Sequence, residues 1–148
     1  MDMRYDASAR LRLIERCHSL AEGDPDLLVA CTIEQYFTGA NEDHDFMCNI
    51  DPVVPQDRII ALVSSVRSRT NVQDVFMLVR LANTEEELWP HCEHILVITS
   101  DSANSVTEWL DSLSPSTIAP WDESDMGEYP AGAPRPKAGM HAFVLWWD

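Results

Sequence analysis

Glycine is scarce in this chain, five in 148 residues, and no Gly-rich loop is available to wrap a phosphate with backbone N–H groups. No Gly-x-Ser-x-Gly elbow occurs, so neither a nucleotide enzyme nor a serine hydrolase has a local signature. Positive charge is the second shortage: ten Lys and Arg stand against 25 Asp and Glu, a formal charge of −15. Such a field disfavours direct binding to nucleic acid or anionic membrane and speeds encounter with a basic macromolecule. Long apolar runs are missing too. The longest, Ala142 to Trp147, falls far short of the roughly 20 residues that cross a bilayer. The opening residues, broken by Asp2, Arg4 and Asp6, do not read as a secretory signal. The expectation is a cytoplasmic protein of one domain, 1–148, with no nucleic-acid or membrane partner.

Metal and thiol signatures are also lacking. Cys17, Cys31, Cys48 and Cys92 are irregularly spaced and read as reduced residues rather than a disulfide framework. His91-Cys92-Glu93-His94 and the pair His44 and Cys48 offer no paired zinc spacing, so the first reads as a polar loop. Asn41 to Asp45 opens like a calcium loop, but Phe46 stands where the turn needs Gly and Pro52 where the bidentate Glu belongs. No metal and no cofactor is expected, and no residue is assigned a catalytic role. An enzyme is the less favoured reading.

What the sequence does contain is a change of hydrophobic period. Asp6 or Ser8 caps a first helix with Leu13, Ile14, Cys17, Leu20 and Ala21 at helical spacing, and Gly23 with Asp24-Pro25 ends it. Leu27 to Cys31 reads as a buried strand, and Thr32-Ile33-Glu34-Gln35 as a capping box opening a short helix. From Phe46 onward the order is strand (46–50), helix (Ile59, Leu62, Val63, Val66), strand (72–81), strand (95–98), helix (Val106, Trp109, Leu110, Leu113) and strand (140–147). This predicts an α+β fold of ferredoxin-like βαββαβ type, with an extra N-terminal helix and a long Pro-rich loop, 117–139, before the last strand. The N-terminal helix is expected at an edge or on the open face of the sheet.

The acidic residues then carry the functional expectation. Glu42, Asp43, Asp45, Glu85, Glu86 and Glu87 are the candidate binding carboxylates, with Trp89 and Trp121 as loop anchors. The Glu85–Glu87 run also reads as the charged first turn of a short helix after Thr84. A non-enzymatic module of immunity or inhibitor type, docking a basic partner protein, is the first reading. A small-ligand protein or enzyme with a cleft between the 82–93 link and the 117–139 loop, holding His91 and His94, is the second. A protein that self-associates through a free sheet edge is the third.

One resemblance accompanies these readings. The stretch Ile33-Glu34-Gln35-Tyr36-Phe37-Thr38-Gly39-Ala40-Asn41-Glu42-Asp43, the later Cys48-Asn49, Trp89-Pro90 before Val97-Ile98-Thr99-Ser100, and the ending Trp146-Trp147-Asp148 resemble a group of small acidic bacterial proteins of unassigned function. Ala40 interrupts the Gly-Asn pair of that pattern. The resemblance runs from Thr32 through most of the chain and implies no catalytic residue.

Overall fold

In the computed structural model the described residues are 5–41, 54–84, 88–92 and 94–147. The first helix, α1 (Ala7–Ala21), is capped by Asp6, whose carboxylate accepts from the N–H groups of Ser8 and Ala9. It ends where Glu22 and Gly23 turn left-handed. Strand β1 (Leu28–Cys31) is buried throughout. The capping box forms as the sequence implies: Gln35 N donates to Thr32 Oγ1, and Thr32 N to Gln35 Oε1, opening α2 (Ile33–Phe37). Helix α3 (Gln56–Arg67) buries Ile59, Val63 and Val66, the i, i+4, i+7 face its spacing predicts.

The remaining elements are β2 (Val72–Arg80), β3 (His94–Thr99), α4 (Ala103–Trp109), β4 (Thr117–Pro120), α5 (Glu123–Met126) and β5 (His141–Trp146). All strand pairs are antiparallel, in the order β1-β2-β3-β5-β4. This order differs from the expected ferredoxin-like one. There, the first strand of the split unit separates the third strand from the last, whereas here β3 pairs directly with β5 from His94 opposite Trp146 to Thr99 opposite His141. The expected strand at 46–50 lies outside the described residues, and β2, an edge strand in the expected order, here pairs on its other side with β1, Leu28 opposite Arg80.

Alternation along the strands splits the core in two. Val29, Val75, Met77, Val79, Ile95, Val97 and Leu145 face one side, where α1, α3 and α4 pack. Leu28, Ala30, Phe76, Leu78, Leu96, Ile98 and Val144 face the other. The N-terminal helix therefore joins the helical layer instead of covering the open face. That face is covered by the segment 121–140, which runs from β4 across the sheet to the β1 edge and returns to β5. Part of the expected loop is structured: its first residues form β4, and Asp122 caps α5 by accepting from Ser124 N.

The two sheet edges are treated differently. At β1, Ala131 pairs with the strand through Ala30 N to Ala131 O and Ala131 N to Leu28 O, both 2.9 Å. Arg16 donates to Ala30 O from Nε and Nη2, so the edge is occupied. At β4 the strand is four residues long and ends in Pro120, which has no N–H to offer a further strand.

Candidate functional site

Of the predicted binding residues, Glu42, Asp43, Asp45, Glu85, Glu86 and Glu87 lie outside the described residues. Trp89 and Trp121 are described, and neither is a free anchor. Trp89 is 2% exposed and packs at tilted angles against Tyr5 and edge-on to Tyr36. The expectation that it stands exposed is corrected. Beside a polar link, the small core of this chain gains more from burying a large indole than from leaving it in water. Trp121 is half-buried and stacks edge-on with Tyr129 against the second sheet face. Neither indole N–H has an acceptor among the described residues, and both rings are held by packing.

The 82–93 link is fastened to the helical layer at several points. Arg10 of α1 donates from Nε to Leu88 O at 2.7 Å and from Nη2 to Thr84 O at 3.3 Å. Tyr36 of α2 donates its buried hydroxyl to Pro90 O at 2.6 Å. Thr84 closes its own turn through Leu81 O, and Ala82 N donates to Pro25 O. Leu88 is the residue of this link left outside, 39% exposed, and Leu11 on the solvent side of α1 is 55% exposed; they are the exposed large hydrophobics among the described residues. The guanidinium of Arg10, adjacent in sequence to Leu11, joins the two segments that bear them.

The link and the proline-rich segment sit on opposite faces of the sheet, Trp89 in the helical core and Trp121 with Met126 and Tyr129 on the other side. Among the described residues they do not form the cleft expected between them. His94 lies at the start of β3 with its ring 6.0 Å from that of Trp146, and Cys92, buried, donates its thiol to His94 O. Among the described residues, no three His, Cys, Asp or Glu side chains come together as a metal site.

Cys17, Cys31 and Cys92 are buried and form no disulfide among the described residues. Burial pushes Cys17 up to about 12 and Cys31 to about 11, the guanidinium of Arg16 opposing the shift at both. At neutral pH they are inert core groups, as their apolar setting implies. Trp147 is buried and donates its indole N–H to Leu113 O at 2.7 Å. Trp146 is half-buried on the opposite face. Trp109, expected in the core, is half-buried beneath the guanidinium of Arg69, 4.4 Å from its ring centre.

These features define a small α+β protein built on one antiparallel sheet, with side-chain fasteners on its helical face and a long segment across the other. The chain belongs to the uncharacterized YfbO family, whose model matches residues 8–145. It is similar to the uncharacterized protein YfbO of Escherichia coli (strain K12), with 31% identity over 119 residues covering 79% of this chain and 81% of that protein. This is a bacterial family of unassigned function, in accord with the resemblance carried by the sequence motifs. No solved structure matches the chain. No helix among the described residues is long and apolar enough to cross a membrane.

Proposed function

We propose that this protein is a non-enzymatic binding module that docks a basic partner protein, in the manner of an immunity or inhibitor protein. Glu42, Asp43, Asp45 and Glu85 to Glu87 steer the encounter, and a small apolar contact then secures it. The observation that carries the reading is the exposure of Leu88 and Leu11, large apolar side chains on two segments that Arg10 ties together. Leu88 directly follows the Glu85–Glu87 run in sequence. The anchor role assigned to Trp89 passes to its neighbour Leu88.

The test is affinity capture from a bacterial extract with the tagged full chain, at low and at physiological ionic strength, beside a variant with Glu85, Glu86 and Glu87 all changed to Gln. A strongly basic protein should be retained at low salt, be lost from the Gln variant, and associate more slowly as salt rises, because screening shortens the reach of the carboxylates. Retention that ignores both salt and the triple substitution would sink the reading.

A further inference from the structure

The arginines of α1 are of two kinds. Arg10 and Arg16 are fasteners, donating to Thr84 O, Leu88 O and Ala30 O. Arg12 is exposed and makes no hydrogen bond, ion pair or ring contact among the described residues. With Arg16, one turn further on, it forms one wall of an open groove of about 460 Å³ between α1 and α2. Ala9 and Leu13 line the groove, and both are buried. Glu34, Gln35 and Thr38 make the opposite wall.

The polar groups of this groove have unequal commitments. Both oxygens of Glu34 accept from Arg67 Nη1 at 2.8 Å, so its charge is already compensated. Gln35 Oε1 accepts from Thr32 N, and Arg16 Nε and Nη2 are engaged with Ala30 O. What stays unengaged among the described residues is a set of donors: the Arg12 guanidinium, the Gln35 amide NH₂ and the Thr38 hydroxyl. Two guanidinium groups at i and i+4 also repel each other along a helix, and an oxyanion between them removes that repulsion.

We propose that the α1/α2 groove binds a small aliphatic monocarboxylate. Arg12 holds the carboxylate as a planar fork, Gln35 Nε2 and Thr38 Oγ1 supply further donors, and Ala9 and Leu13 receive the alkyl chain. The volume is that of a small-molecule site. The formal charge of −15 on the chain sets the ligand's charge, because each additional negative charge on the ligand meets the same repulsive field. A monoanion with an apolar body fits the groove better than inorganic phosphate does.

The experiment is titration of sodium pentanoate into the isotopically labelled full chain, followed through the amide resonances of 9–16 and 34–38, with pentanol and inorganic phosphate at matched ionic strength as comparison ligands. Saturable shifts confined to those two segments are expected, with binding weakened about tenfold in Arg12→Gln, the loss of one charge-assisted pair. Arg12 has no partner among the described residues, so the variant should melt with the wild type, which thermal unfolding verifies. Shifts that do not saturate, an unchanged affinity in Arg12→Gln, or equal binding of pentanol or phosphate would each overturn the proposal.

Discussion

The 82–93 link and the 121–140 segment are both long connections with tryptophan near one end, yet they are secured by different means. The link is tied to helices by side chains that reach its carbonyl groups, Arg10 to Thr84 and Leu88, Tyr36 to Pro90, and it gives a whole indole to the core. The 121–140 segment is tied to strands mainly through its own backbone. Ala131 pairs with β1, and the side chain of Gln73 both donates to Arg135 O and accepts from Lys137 N. Gln73 stands where the β2–β3 register shifts between Val72 and Asp74, an irregularity of the kind that re-aims a side chain. Burial on the link and backbone pairing on the other segment predict different sensitivities to mutation.

Truncating the two tryptophans should separate the regions most widely. Trp89→Ala removes a ring that is 2% exposed and is expected to destabilise by about 3–5 kcal/mol. Trp121→Ala removes a half-buried ring, so less apolar surface returns to water and the cost should be clearly smaller. Chemical denaturation of both variants checks this, and equal losses would erase the distinction.

Alkaline titration should also act on one face. Cys17 and Cys31 both belong to the helical core, and burial raises their thiols from the ordinary 9.0 to about 12 and about 11. A raised thiol favours the folded state in its neutral form. Its contribution is complete below pH 9 and is lost as pH climbs from there through the folded values, because the unfolded chain releases its protons first. Stability should therefore fall above pH 9, and the fall should flatten in the Cys17→Ala, Cys31→Ala double variant. Below that range both thiols should resist alkylation until the chain unfolds.

Periodicity carried most of the local structure into view, because the longer helices bury a stripe and successive strand residues alternate between two buried faces. Leu13 and Cys17 on α1, Ile59, Val63 and Val66 on α3, and the Thr32–Gln35 capping box all fall where their spacing implies. Strand order was not legible, since pairing between β3 and β5 depends on contacts distant in sequence that no local pattern encodes. The proline-rich stretch misled for a related reason. Its turn residues mark an irregular path, but they do not say that Ala131 will complete the β1 edge. In the candidate site, composition marks out the carboxylates. The fate of Trp89 was hidden because an indole in a polar loop carries no signal for its burial. Arg10 and Arg16 were equally hidden: on a helical wheel they read as solvated charges, and only the fold shows the carbonyl groups they hold.

Hydrogen-bond deletions refine the comparison at lower energy. Tyr36→Phe leaves the buried Pro90 carbonyl without its partner and should cost about 1–3 kcal/mol. Gln73→Ala removes two exposed bonds to the opposite segment and should cost about 1 kcal/mol or less. The informative readout is local: amide hydrogen exchange at Lys137 should accelerate in Gln73→Ala while the exchange of β2 and β3 stays that of the wild type. If Gln73→Ala lowers global stability as much as Tyr36→Phe, the 121–140 segment is not the more loosely fastened of the two.

The smallest expected effect concerns the ion pairs on the two faces. Glu34 and Arg67 pair at 2.8 Å with side chains 62% and 33% exposed, while Glu123 and Arg135 pair at the same distance with 56% and 68%. Both are surface pairs, worth about 0–1 kcal/mol, but the better-shielded Arg67 favours the first. The hydrogen bond from Arg67 holds the Glu34 carboxyl below its ordinary 4.5. A lowered carboxyl stabilises the fold above that value and loses its contribution as pH falls through the folded pKa, since the folded state must then take up the proton it had excluded. The stability difference between wild type and Glu34→Gln should therefore be a few tenths of a kcal/mol at neutral pH, shrink below pH 4.5, and diminish in high salt. A double-mutant cycle on Glu34 and Arg67 isolates the coupling, and the same cycle on Glu123 and Arg135 should give a smaller value. A larger coupling on the 121–140 side would mean that this segment is held by charge after all, and the contrast between side-chain fastening and backbone pairing would have to be redrawn.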